Sequence, residues 1–278
     1  MKVLIFDTSN LMMRCLFSQM PGPDETEFQI FKMTFLSSFM KTIKDLNPDR
    51  VICVQDSESW RKSIYPEYKA NRAAKREQSV VNFDAFFPVV EKFFTELSES
   101  FKNIPFIKIP QCEADDIIAV ITKNFRNWDI INVSSDKDFY QLFAYPNYKQ
   151  YNGIEHSFIS GLNPEKELML KIVLGDKGDN VPGLKRGVGP KRAMKILDED
   201  LEQWIKDENL TEAFERNMKL ISFNCIPSNI ETMIIDTINN TTFGEPDSKR
   251  YFKFIQMSGL AGLMNTFTDY MNIVKQVH

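Results

Sequence analysis

The chain has 278 residues, 43% hydrophobic and 26% charged, with a formal net charge of −4. This is the profile of a folded globular protein of one large or two modest domains, and it excludes disordered and fibrous classes. No run approaches the ~18 apolar residues of a membrane span, Asp7 arrives before any apolar leader core could form, and Cys15, Cys53, Cys112 and Cys225 have neither CxxC nor zinc spacing, so the expected setting is soluble, reducing and cytoplasmic.

In chain order, Lys2–Phe6 is a short β-prone apolar run that ends on Asp7, with Thr8-Ser9-Asn10 behind it as a turn and cap cluster. Phe28 to Leu46 has apolar residues at helical spacing and stops at Asn47-Pro48. Arg50–Gln55 is a second buried strand, and it too ends on a carboxylate, Asp56. One such acid is an ordinary helix cap; the repeat of the pattern indicates something more.

From Trp60 to Arg76 six basic residues (Arg61, Lys62, Lys69, Arg72, Lys75, Arg76) stand against the single acid Glu67, with Trp60, Tyr65 and Tyr68 among them. Alone this reads as a solvated basic helix; beside an acidic pit it suits a held polyanion, with aromatics for bases and cations for phosphates. Residues 83–101 are an amphipathic helix, and Ile104 to Ile109 a strand. Glu113-Ala114-Asp115-Asp116 follows, then a helix through Ile117–Ile121, the strand Asp129–Val133, and Ser134-Ser135-Asp136-Lys137-Asp138. Strand, helix, strand with acids at the strand ends predicts a parallel sheet that converges carboxylates on one edge, where α/β folds bind ligands. Crowded carboxylates need a neutraliser, and hard divalent cations with oxygen ligands supply it. The bland alternative for the tetrapeptide is acid decoration of a helix N-terminus.

Beyond Asp138 the pattern predicts a short helix over Phe139–Phe143, a hairpin through Asn152-Gly153, and a helix over Pro164–Leu174. Gly175-Asp176-Lys177-Gly178-Asp179-Asn180 leads to Gly187-Val188-Gly189-Pro190-Lys191-Arg192, glycines opening a basic helix as phosphate cradles do. Residues 198–278 read as helices without catalytic chemistry.

Together, Asp7, Asp56, Tyr-Pro-Glu-Tyr-Lys-Ala-Asn-Arg (65–72), Glu-Ala-Asp-Asp (113–116), Ser-Ser-Asp-Lys-Asp (134–138), Gly-Asp-Lys-Gly-Asp-Asn (175–180) and Gly-Val-Gly-Pro-Lys-Arg (187–192) resemble the flap endonuclease and 5′-to-3′ exonuclease family, and the last eighty residues resemble its phage branch. The resemblance implies an α/β fold: a mostly parallel sheet flanked by helices (a PIN-like nuclease core), a helical arch, and a C-terminal helical region with a helix-hairpin-helix-type motif. It implies a core over 1–182 with a mobile arch at about 57–82, and a duplex-binding region over 183–278. Two Mg²⁺ ions, with Mn²⁺ able to substitute, would sit on Asp7, Asp56, Glu113 and Asp115, and on Asp136, Asp138, Asp176 and Asp179, with Asp116 in support. Lys69 and Arg72 would be catalytic. Tyr68, Arg61, Lys62, Lys75, Arg76, Gly187, Gly189, Lys191 and Arg192 would meet nucleic acid, with a K⁺ site at the hairpin. Gly183 to Gly187 is one residue longer than the family spacing.

The implied activity is flap cutting and 5′-to-3′ exonuclease action with ribonuclease H-type primer removal, the balance of the two and the choice of RNA or DNA left open. Implied partners are branched or 5′-ended duplex DNA, RNA–DNA hybrid and single-stranded-DNA-binding protein, met by a monomer in the cytoplasm (the host's if phage-encoded), with no membrane. A PIN-like ribonuclease would not need the basic stretch or the Gly-Val-Gly-Pro-Lys turn, and a non-catalytic DNA-binding protein would not need the acids.

Overall fold

The structure, a computed structural model, describes residues 1–18 and 25–278. A six-stranded sheet runs through the centre: β1 Lys2–Asp7, β2 Arg50–Gln55, β3 Phe106–Lys108, β4 Asp129–Val133, β5 Tyr148–Asn152 and β6 Ser157–Phe158, in the order β3-β2-β1-β4-β5-β6. Every neighbouring pair is parallel except β5 with β6. The mostly parallel sheet expected from the acid-ended runs is present. β3 is shorter than the apolar run predicts, an edge strand preceded by Pro105 and followed by Pro110, neither of which can donate to a ladder.

Strand period explains why β1 is apolar throughout. Leu4 and Phe6 enter one core with Phe31, Phe35, Phe39, Phe86 and Phe93, while Val3 and Ile5 enter the other with Ile117, Ile118, Ile121 and Ile130. The first core is an aromatic mesh: Phe31 meets Phe86 edge-on at 5.0 Å and Phe35 meets Phe93 at 5.5 Å, joining the helices Glu25–Leu46 and Phe83–Ser100. Strand order reverses between β1 and β4, so the crevice for a ligand opens past Asp7 and Val133.

Pro190–Glu199 and Thr211–Ile221 pack on Pro164–Leu174. Ser228–Asn239 lies instead on Ala114–Asn124, and Ser248–Met257 and Phe267–Lys275 close the aromatic core. The buried Asn103 amide donates to the carbonyls of Val274 and Val277 at 2.7 and 2.9 Å. Residues 228–278 therefore contribute buried side chains to both hydrophobic cores of the sheet. Helical periodicity shows that each helix has an apolar face, but not which partner covers it. Among the described residues no helix is long and apolar enough to cross a membrane.

Candidate active site

Each acid is placed by the backbone element it terminates. Asp7 caps the helix Thr8–Phe17, accepting from the Asn10 N–H at 3.0 Å, and takes a second hydrogen bond from the Ser134 hydroxyl at 3.1 Å. Burial, then the charges of Asp56 and Asp136, push its carboxyl up to about 7. Asp56 accepts from the Ala114 N–H at 2.8 Å, which fixes the end of β2 to the acidic helix. Asp136 caps the turn that follows β4, accepting from the Asp138 N–H at 2.9 Å.

Two carboxylate clusters result, Glu113–Asp115–Asp116 and Asp138–Asp176–Asp179, each with one oxygen per residue lying within 4.8 Å of the others. The first cluster opens the helix Ala114–Asn124, where the Glu113 N–H donates back to Asp116 at 3.1 Å. Burial and the neighbouring Asp116 and Glu113 hold the Asp115 carboxyl well above the usual range. In the second, burial and Asp136 raise Asp138 to about 6 although Lys171 opposes them. Gly175, at φ +71°, makes the loop to Asp176 possible: a Cβ there would stand 2.4 Å from the Val181 carbonyl oxygen.

Two residues expected to touch nucleic acid are inside the protein. Arg61 is 1% exposed; its guanidinium donates to Glu113 at 2.9 Å, to both Asp116 oxygens at 3.0 and 2.8 Å, and to the Leu220 carbonyl at 2.8 Å. The Trp60 indole also donates to Asp116, at 3.1 Å. Arg61 is thus a buried counter-ion rather than a phosphate contact, because the adjacent carboxylates offer its five N–H groups better partners than water. Tyr68 is buried as well, its hydroxyl 3.1 Å from Glu113 and 3.0 Å from Asp179, so its ring cannot stack on a base in this arrangement. Trp60, Arg61 and Tyr68 thereby dock the start of the 57–82 segment on the acidic cluster.

Lys69, at φ +59°, is ion-paired with Glu113 and lies 3.5 Å from Asp179, and Arg72 donates to Asp179 at 2.6 Å. Burial would raise the Glu113 carboxyl, but Lys69 and Arg61 hold it at about 2. Lys75 and Arg76 lie exposed on the helix Asn71–Glu77, above a cleft of ≈ 890 Å³ that Asp56, Phe83, Phe87 and Phe94 also line. Lys62 is exposed and faces Glu58 at 3.4 Å. Gly187, Gly189, Lys191 and Arg192 are all exposed where the helix Pro190–Glu199 begins. Within the stretch before Gly187, Leu184 is buried with Val173 and Ala193.

Lys171 escaped the sequence reading. It is paired with Asp138 and lies 2.7 Å from Asp176. A cation in the last turn of a helix that runs into Gly-Asp-Lys-Gly-Asp was the available signal.

Carboxylates gathered at the ends of parallel strands, flanked by exposed cations, define a metal-dependent nuclease. Residues 2–168 match the family described as 5′-3′ exonuclease, N-terminal resolvase-like domain, and the chain belongs to that family. It is 29% identical to ribonuclease H of Enterobacteria phage T4, over 96% of this chain and 95% of that protein. It is also 29% identical to the flap endonuclease Xni of Shewanella sp. (strain MR-4), over 70% of this chain and 74% of the relative. Its fold is similar to that of the bacteriophage T5 D15 flap endonuclease solved in a complex with DNA and metal ions: TM-score 0.65, 20% identity, 99% of each chain.

Proposed function

We propose that this hydrolase is a structure-specific 5′ nuclease that removes RNA primers and flaps during DNA replication, working on a PIN-like core with two Mg²⁺, or Mn²⁺ in their place. The observation that carries this reading is the pairing of two carboxylate clusters at one sheet edge, bordered by Lys69, Arg72 and the exposed cations of the Asn71–Glu77 helix. The donor set fits hard divalent ions: it is all oxygen, largely buried, and repulsive enough to raise Asp7 and Asp138. Bound there, such ions would supply a hydroxide nucleophile near neutral pH and offset the charge on the phosphate and leaving oxygen.

Asp7, Asp56, Glu113 and Asp115 would hold one ion, and Asp136, Asp138, Asp176 and Asp179 the other. Asp116 supports them by anchoring Arg61, which in turn orients Glu113. Lys69 borders both clusters and Arg72 the second, and the two would hold the scissile phosphate, Lys69 as electrostatic catalyst. Lys62, Lys75 and Arg76 would track the 5′ strand, the part of the arch beyond Lys69 ordering around it. Lys191 and Arg192, with the backbone at Gly187 and Gly189 and a K⁺ ion, would hold duplex phosphates. The protein would act as a cytoplasmic monomer on branched or 5′-ended duplexes and RNA–DNA hybrids, alongside single-stranded-DNA-binding protein.

A 5′-flap substrate labelled at both ends tests this. With Mg²⁺ the products are expected to be 5′ fragments released at or near the junction, and none with EDTA. Internal cuts scattered along any single-stranded RNA, or unchanged cutting in EDTA, would contradict it.

Lys191→Ala should weaken duplex binding equally for all sequences and lower the salt slope by about one unit, since one phosphate contact is lost. Fluorescence anisotropy across a salt series measures this, and an unchanged slope would place the helix elsewhere.

Metal binding should also release protons. Asp7 at about 7 and Asp138 at about 6 are protonated below those values, so affinity for Mg²⁺ should rise with pH through 6 to 7. Calorimetry in buffers of different ionisation enthalpy should detect proton release at pH 6.5 and much less at 8.5. Equal release at both would contradict the assignment. Both groups bind more protons folded than unfolded, from the ordinary aspartate value of 3.8 up to about 6 for Asp138 and about 7 for Asp7, so the metal-free protein should lose stability as pH rises across that window.

A further inference from the structure

The second cluster is assembled from two separate stretches of chain: Asp138 follows β4, while Asp176 and Asp179 lie in the loop after the helix Pro164–Leu174. Lys171, in the last turn of that helix, is the side chain that joins them, paired with Asp138 and 2.7 Å from Asp176. Its side chain is 23% exposed, and those of Asp138 and Asp176 are comparably exposed at 24% and 21%, so the pairs are largely withdrawn from water. Asp179, the third member, has separate cations, Arg72 at 2.6 Å and Lys69 at 3.5 Å. Among the described residues, Asp138 and Asp176 therefore have Lys171 as their ion-pair partner.

The geometry points to Lys171 as the chain's own stand-in for a divalent cation: it holds Asp138 and Asp176 together when no ion is bound, and it must yield them when one binds. This inference rests on the nuclease reading above and adds a positioning residue to it. A tie between two like-charged carboxylates keeps the loop of Asp176 against the end of β4, which pre-organises the cluster at the cost of its affinity. An ammonium at contact distance from both carboxylates competes directly with any cation for them. The sign of the effect separates this role from that of a structural strut. Removal of a competitor tightens metal binding, whereas removal of a strut lets the cluster disperse and weakens it.

The test uses the full chain without DNA and Mn²⁺ as probe, followed by the paramagnetic resonance of free Mn²⁺. Lys171→Met should bind one of its Mn²⁺ ions about tenfold more tightly than the wild type, with Lys171→Arg close to the wild type. Equal or weaker binding by a folded Lys171→Met protein would overturn the inference. Should that variant fail to fold, the wild type decides. Acetylation of Lys171, read by peptide mass spectrometry, should be slow without metal and rise severalfold with saturating Mn²⁺; an unchanged rate would overturn the inference. Failure of the wild type to bind Mn²⁺ at all would bring down the nuclease reading and this inference with it, a result distinct from normal binding that ignores Lys171.

Discussion

Asp115→Asn is expected to reduce single-turnover cleavage on the order of 10³-fold, equivalent to about 4 kcal/mol of transition-state stabilisation, with flap binding unchanged or tighter. Asp115 sits at the centre of the first cluster, and its carboxyl is held well above the usual range by burial, Asp116 and Glu113, with Arg61 and Lys69 opposing only in part. Such a group gains more than its neighbours from an added cation. Asparagine keeps the shape and can still accept the 2.7 Å hydrogen bond from the Asp116 N–H. The local fold should survive while a charge and a metal ligand are lost. One fewer negative charge then faces the phosphate, which is why binding should not fall. Rapid-quench kinetics with a labelled flap, beside anisotropy in Ca²⁺, separate the two quantities. A near-normal rate would remove Asp115 from the metal site.

Arg61→Ala should destabilise the metal-free protein by about 3–5 kcal/mol, the usual cost of breaking a buried ion pair by removing one partner. Asp116, fully buried, would lose two guanidinium hydrogen bonds, Glu113 one, and the Leu220 carbonyl its donor. Those contacts tie the segment after β2 to the acidic helix and to the helix Thr211–Ile221, so the loss reaches three elements. Arg61→Lys should recover only part of it, because an ammonium cannot span both carboxylates and the carbonyl with planar geometry. Urea unfolding with and without Mg²⁺ measures the change. A loss below about 1 kcal/mol would show that the charges are solvated, contrary to their burial.

The sheet and its acids were legible for a simple physical reason. A strand buried on both faces must be apolar throughout, so a carboxylate at its end stands out, and Asp7, Asp56 and Asp136 all did. The glycine-opened helix was legible as a local pattern, and Gly187, Gly189 and Lys191 stand exposed where it begins. Arg61 and Tyr68 were misread for the converse reason. A run of cations and aromatics looks solvent-facing unless one knows that Glu113, Asp116 and Asp179 lie across from it in space. Lys171 was overlooked although it stands in the last turn before the acidic loop, because helical position alone does not tell a lysine that reaches a carboxylate pair from one that reaches water. The docking of residues 228–278 onto the core depends on contacts more than a hundred residues apart in sequence, such as Asn103 with Val274.

As a pair of divalent-cation sites serving one reaction, the two carboxylate clusters should each hold an ion. Crystals soaked in Mn²⁺ and measured at an energy where manganese scatters anomalously test it most directly. Two peaks are expected about 3.5–4 Å apart, one against Glu113 and Asp115 and the other against Asp138, Asp176 and Asp179. A map from protein that cleaves flaps, with no peak at either cluster, would contradict it.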